Sequence, residues 1–159
     1  MKRLVLIRHS KSSWRHDGLM DEYRPLNERG YTDAIALGAI LKKARLRPGR
    51  IVCSPAVRTY STALIVARCL RLDIERITID NRLYDSGIRD YLKVIKAQPA
   101  SVNDLLLIGH NETISNLIEH FSGKETIQLP TSGYAIFRYS SENWSLIGKD
   151  FLELASVSV

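Results

Sequence analysis

At 159 residues, with 45% hydrophobic and 25% charged side chains, the chain has the composition of one globular domain, spanning 1–159, large enough for a full core. No apolar run is long enough to cross a bilayer. Met1-Lys2-Arg3 is followed by only four aliphatics before Arg8, too few for a secretory segment, so the expectation is a cytoplasmic protein with no membrane partner. The net charge is +6, but the basic residues are scattered. Their densest cluster, Lys42, Lys43, Arg45, Arg47 and Arg50, falls at the end of a predicted helix, and no basic stripe is interleaved with aromatics. Nucleic acid is therefore not expected as a partner, and the charge reads as a surface that attracts anionic substrates.

The pattern alternates strand and helix. Residues 3–8 form a short apolar run closed by polar residues, which predicts a buried parallel strand. Residues 10–24 are polar and without period, long enough for a functional loop. Asn27 is placed to cap a helix that carries Ala34, Leu37, Gly38 and Leu41 on one face, with Pro48-Gly49 expected as the turn after it. A strand over 50–54 leads to a helix over 56–71 with Ala63, Val66, Ala67 and Leu70 on its inner face. Residues 76–80 alternate, as suits a strand near the sheet edge. An amphipathic helix over 88–97 uses Tyr91, Leu92 and Ile95. A strand over 104–109 and a helix over 112–121 follow. Residues 134–139 and 143–149 then read as two strands joined by a turn at 140–142. The order implies a three-layer α/β/α fold, with a mostly parallel central sheet and an antiparallel C-terminal element.

Three of the predicted strands end on polar residues of a consistent kind. Arg8-His9 follows Leu4–Ile7, Ser54-Pro55 follows Ile51–Cys53 with Arg58 close behind, and Gly109-His110-Asn111 follows Leu105–Ile108. Ligands of open α/β sheets bind beyond the carboxyl ends of the strands, so these residues are expected to meet at one rim. Two guanidinium groups and two imidazoles make a site for a phosphoryl group, with one histidine as nucleophile. Arg58, near a helix start, gains from the free backbone N–H groups there. His16 is expected in a loop and His120 half-exposed on a helix. No pair of histidines has metal-ligand spacing, so neither a metal nor another cofactor is expected. Cys53 and Cys69 are expected as buried, unpaired structural thiols. For a general acid the candidate is Asp85, with Asp21 and Glu22 as alternatives in the long loop.

These motifs resemble those of the histidine phosphatase superfamily, the phosphoglycerate mutase-like fold, and within it the short SixA-like phosphohistidine phosphatases. The segment Arg8-His9-Ser10-Lys11-Ser12-Ser13-Trp14 is similar to that branch's Arg-His-Ala-Lys-Ser-Ser-Trp form. Arg24-Pro25-Leu26-Asn27-Glu28-Arg29-Gly30 is similar to its Arg-Pro-Leu element, Ser54 to Ala63 to its Ser-Pro-x-x-Arg-x-x-x-Thr-Ala element, and Gly109-His110-Asn111 to its second histidine motif. The resemblance runs from residue 3 to residue 139 in order. It departs at Ser10, where glycine or alanine is usual, and in a length that leaves little room for the inserted helices of larger members. It implies that His9 becomes phosphorylated, that Arg8, Arg58 and His110 form the phosphate pocket, with His110 also catalytic, and that Arg24 lines the substrate groove.

The expectation is a metal-independent phosphohydrolase acting on a phosphorylated substrate, with a phosphohistidine-bearing protein domain foremost. The alternatives are a small-molecule phosphomonoesterase of the same superfamily and a non-catalytic phosphoprotein-binding module.

Overall fold

In the computed structural model, which describes residues 1–125 and 128–158, six strands form one sheet. They are β1 (Lys2–Arg8), β2 (Pro48–Cys53), β3 (Ile77–Ile79), β4 (Asp104–Gly109), β5 (Tyr134–Tyr139) and β6 (Leu152–Val157), in the order β3-β2-β4-β1-β5-β6. The pairs β1–β4, β4–β2 and β2–β3 are parallel; β5 runs antiparallel to β1, and β6 antiparallel to β5. The uninterrupted aliphatic runs Leu4–Ile7 and Leu105–Ile108 occupy the two central positions and are fully buried, because both faces of those strands are covered. Each such side chain contributes on the order of 1.5–3 kcal/mol on burial. The alternating strand β3 lies at the edge, with Ile79 half exposed.

Four helices cover the sheet: α1 (Glu28–Lys43), α2 (Val57–Cys69), α3 (Ile88–Lys96) and α4 (Thr113–Ser122). Leu37 and Leu41 of α1 pack with Ala63, Val66 and Ala67 of α2 over Val5, Ile7 and Ile108. Tyr91, Val94 and Ile95 of α3 pack with Ile114, Leu117 and Phe121 of α4 over Leu4, Leu6 and Leu107 on the other face. The α1 cap is as expected: the Asn27 side chain accepts a hydrogen bond from the Gly30 amide at 2.8 Å.

Three expectations need correction. Residues 143–149 are not a strand but hold two 3-10 turns, Trp144–Leu146 and Lys149–Phe151, and the antiparallel partner of β5 is β6 further on. A strand would put Trp144 and Leu146 on the same face. Instead Trp144 is fully buried, stacked on Tyr139 with its Nε1–H donated to the Val102 carbonyl at 2.9 Å, while Leu146 is exposed. The Asn143 side chain starts this turn by accepting from the Ser145 amide. Pro48-Gly49 is not the turn after α1 but the opening of β2. The chain reverses earlier, at Arg45 with φ of 55°, and Arg3 holds the carbonyls of Ala44 and Arg45 there. Cys53 is buried, but Cys69 is only half-buried, because the α1–α2 seam closes over one side of it.

Register delivers the functional residues. Arg8 pairs with Gly109 across β1 and β4, and Cys53 with Ile108 across β2 and β4. His9, Ser54 and His110 therefore leave three adjacent strands within one residue of the same level.

Candidate active site

Arg8 and His9 are held by the loop that precedes β5. The Arg8 amide donates to the Gly133 carbonyl and its Nη1 to the Leu129 carbonyl at 2.7 Å. The His9 amide donates to the Gly109 carbonyl at 3.0 Å, and the His9 carbonyl accepts from the Ser132 amide. His9 is only 8% exposed. Its Nδ1 lies 2.7 Å from the Ser10 carbonyl oxygen. A carbonyl only accepts, so Nδ1 carries the hydrogen and Nε2 keeps its lone pair. Burial pushes the His9 imidazole down to about 4, and the charges of Arg58, Arg8 and Arg24 add to this against the opposing Ser10 carbonyl; the ring is neutral at pH 7. Ser10 is fully buried, its amide donated to Thr62 Oγ1 and its hydroxyl paired with that of Ser132 at 2.6 Å. The extra oxygen thus ties the residue after His9 to the 129–133 loop.

His110 leaves β4 directly after Gly109. A side chain at Gly109 would collide with the Tyr91 hydroxyl, which accepts the His110 amide at 3.1 Å and donates to the Leu83 carbonyl at 3.0 Å. The absent Cβ is what lets α3 lock the backbone here. The His9 and His110 ring centroids are 5.3 Å apart. His110 Nε2 lies 2.6 Å from Ser54 Oγ, and its Nδ1 lies 3.4 Å from Arg58 Nη2. Burial, then the neighbouring His9 and Arg58, lower the His110 imidazole to about 3.

Arg58, in the first turn of α2, is 5% exposed. Its Nη1 donates to the Asp21 carbonyl at 2.7 Å and its Nη2 to Asp21 Oδ2 at 2.9 Å. Asp21 also accepts from Tyr84 Oη at 2.9 Å and from Arg24 Nε at 3.0 Å. Arg24 is buried, bonded through Nη1 to Ser12 Oγ, and lies 3.6 Å beneath the exposed Trp14 ring. Burial alone would raise the Asp21 carboxyl, but the hydrogen bonds from Tyr84 and Arg58 and the Arg58 charge hold it at about 2. It is an anion at neutral pH and has no proton to give. Arg8 Nε and Arg58 Nε are both buried without a hydrogen-bond partner among the described residues.

Arg8, His9, Asp21, Arg24, Arg58, Tyr84 and His110 line one cleft of about 780 Å³, together with Asp85 and Glu112. Of the expected residues, Arg8, His9, Arg24, Arg58, His110, Asp21 and Asp85 are brought together there, and Glu22 is not among the lining. Asp85 sits at the rim, exposed, with a φ of 48° that aspartate tolerates. His16 is in the loop and His120 on the exposed face of α4; both lie away from this cleft. Sequence reasoning did not single out Ser54 as a partner of His110, nor Tyr84 as a partner of Asp21. Ser54 carried a signal, since it stands at a strand end beside the other site residues. Tyr84 carried none.

The chain has relatives among known proteins. The family model described as the histidine phosphatase superfamily (branch 1) matches residues 4–88. A solved structure from Agrobacterium tumefaciens, provisionally designated phosphohistidine phosphatase SixA, is 28% identical, with a TM-score of 0.83 over 99% of this chain and 98% of that one. The protein histidine phosphatase SixA in complex with tungstate superposes with a TM-score of 0.81 over 98% of this chain and 95% of that one; at 19% identity the likeness is one of fold. An uncharacterized chloroplastic protein of Arabidopsis thaliana is 26% identical over 155 residues, covering 90% of this chain and 69% of its own length.

Proposed function

The chain belongs to the histidine phosphatase superfamily, and from that membership we propose a metal-independent phosphatase that works through phosphorylated His9 on a phosphohistidine carried by a protein. One observation carries the site assignment: the guanidinium groups of Arg8 and Arg58 line one cleft with the neutral His9 imidazole, whose Nδ1 hydrogen is spent on the Ser10 carbonyl. A tetrahedral oxyanion suits the two cations, and its phosphorus is the electrophile that the Nε2 lone pair needs.

In the proposed reaction His9 Nε2 attacks phosphorus in line, and the bond to the leaving group breaks. Arg8 and Arg58 stabilise the charge that shifts onto the equatorial oxygens, an effect worth about 3–4 kcal/mol for a key donor. Water then attacks the phosphorus of phospho-His9, the P–Nε2 bond breaks, and phosphate leaves. Arg24, stacked under Trp14, lines the groove through which the substrate enters. No helix among the described residues is long and apolar enough to cross a membrane, and the cytoplasm is the proposed setting.

The protein substrate is supported by the 28%-identical relative designated a phosphohistidine phosphatase and by the ionised state of Asp21, the cleft carboxylate that Tyr84, Arg58 and Arg24 hold. The second reading, a small-molecule phosphomonoesterase, is favoured by one observation: Asp85 lines the same cleft and could serve as an acid. The test of the mechanism is His9→Ala assayed on p-nitrophenyl phosphate with and without EDTA, together with trapping by a labelled phosphodonor. The expected result is loss of turnover in a folded variant, EDTA-resistant activity in the wild type, and acid-labile, alkali-stable label on His9. Near-normal activity of His9→Ala would sink the mechanism. Reversible binding without label or phosphate release would identify a binding module instead.

A further inference from the structure

We infer that Ser115 is a positioning residue for Arg8: with Asn111 it latches the loop whose carbonyl holds the Arg8 guanidinium, so that the start of α4 fixes a cation carried by β1. The consequence for rate rests on the proposed reaction, in which Arg8 meets the phosphoryl oxygens; the latch itself is read from hydrogen bonds alone. Arg8 Nη1 donates to the Leu129 carbonyl at 2.7 Å, and the Leu129 amide donates to Ser115 Oγ at 3.1 Å. Ser115 spends its hydroxyl hydrogen on Asn111 Oδ1 at 2.7 Å. A serine within a helix otherwise tends to turn that hydrogen back onto a carbonyl of the preceding turn. Asn111, four residues earlier, takes it instead and leaves a Ser115 lone pair for the Leu129 amide. The third member of Gly109-His110-Asn111 thereby acts on the arginine of the first histidine motif, far away in the chain.

Ser115 and Leu129 are only 5% and 1% exposed, so water is poorly placed to replace either partner. Leu129 precedes Pro130, which confines the Leu129 backbone to extended conformations. Fixing its amide therefore fixes the direction of its carbonyl as well. The far end of the same loop has anchors of its own. The Ser132 amide donates to the His9 carbonyl, the Gly133 carbonyl accepts from the Arg8 amide, and the Ser132 hydroxyl pairs with that of Ser10. Those bonds secure the backbone around His9 and do not involve Ser115. Loss of the Ser115 hydroxyl thus frees the guanidinium end of Arg8 while His9, and Arg58 on α2, stay in place. A guanidinium binds an oxyanion through a planar fork, and a misplacement of about 1 Å in such a group can cost about 100-fold in rate.

The experiment compares wild type with Ser115→Ala, a change that suits a helix. Ser115→Cys, of similar size and a weak hydrogen-bond partner, takes its place if the alanine variant does not fold. The first readout is ¹⁵N relaxation of the arginine Nε–H groups, assigned with Arg8→Lys and Arg58→Lys; a general loosening of the fold would move both arginines. The expected result is an Arg8 side chain that becomes mobile in the variant while Arg58 stays as ordered as in the wild type. On p-nitrophenyl phosphate, kcat/KM should fall about tenfold, and binding of inorganic phosphate should weaken with it. An Arg8 as rigid as before, an Arg58 that loosens alongside it, or an unchanged kcat/KM overturns the inference. If the wild type turns over no p-nitrophenyl phosphate, the proposed function fails instead, and the relaxation and phosphate-binding measurements still decide the latch.

Discussion

A nucleophilic histidine works only while neutral, so the state of His9 sets the acid limit of the enzyme. An ordinary imidazole is half protonated near 6.5, whereas burial with three arginines nearby brings His9 to about 4. The acid limb of kcat/KM should therefore lie near pH 4 rather than 6.5, once the substrate's own ionisation is divided out; a limb at 6.5 would mean that His9 is far less buried in solution. The same shift couples to stability. The folded state binds fewer protons than the unfolded chain between the two values. The stability tied to a neutral His9 is therefore fully present above about 6.5 and is lost as pH falls toward 4, with a slope of about 1.4 kcal/mol per pH unit. Urea titrations of wild type and His9→Gln across that range should show the slope shrink in the variant. Arg8, His9, Arg58 and His110 were all legible in the sequence because each directly follows, or lies close behind, an apolar strand. Asp21 was legible only as a carboxylate in a loop. Its hold on Arg58, Arg24 and Tyr84 joins segments distant in the chain, and no local pattern records such a contact.

At the level of elements, the motif around Gly30 has a mechanical meaning. The first turn of α1 rests on the segment that follows His9: the Asn27 amide donates to the Lys11 carbonyl at 3.0 Å, and a Cβ on Gly30 would run into that same carbonyl. Backbone cannot yield as a flexible side chain does. Gly30→Ala should lower stability by about 1–3 kcal/mol and, because the displaced segment carries Ser10 and Ser12, should also cut kcat. A thermal melt paired with p-nitrophenyl phosphate kinetics checks this, and a melt unchanged from wild type would contradict the packing. The helices were legible because their buried faces follow a simple period, and the strands up to β5 because they are short apolar or alternating runs closed by polar residues. The sixth strand was misplaced because residues 143–149 also look alternating. What decides there is the stacking of Trp144 on Tyr139 and its bond to Val102, a choice made by tertiary packing rather than by local propensity.

The whole molecule presents one polar cleft at the carboxyl edge of its sheet, walled by the 8–24 segment, the 83–86 segment and the start of α4, on a chain of net charge +6 that suits an anionic substrate. What that cleft can cleave depends on the leaving group. A phosphorylated imidazole with a proton on its other nitrogen departs as neutral imidazole and needs no acid. An alkoxide from a sugar phosphate departs poorly unless a proton is supplied, and such a proton is worth about two to four decades in rate. Three carboxylates line the cleft. Asp21 is held ionised by Tyr84 and Arg58, while Asp85 and Glu112 are exposed at the rim. If no acid works here, kcat/KM should drop by about two decades or more from a phosphohistidine peptide or p-nitrophenyl phosphate to a sugar phosphate. On the same ground Asp85→Asn should change phosphohistidine turnover by less than about threefold, the effect of a group absent from the transition state. The measurement is a substrate panel at fixed pH on wild type and Asp85→Asn. Efficient hydrolysis of a sugar phosphate that collapses in Asp85→Asn would replace the protein substrate with a small metabolite, because it would show a working acid that a phosphohistidine does not require.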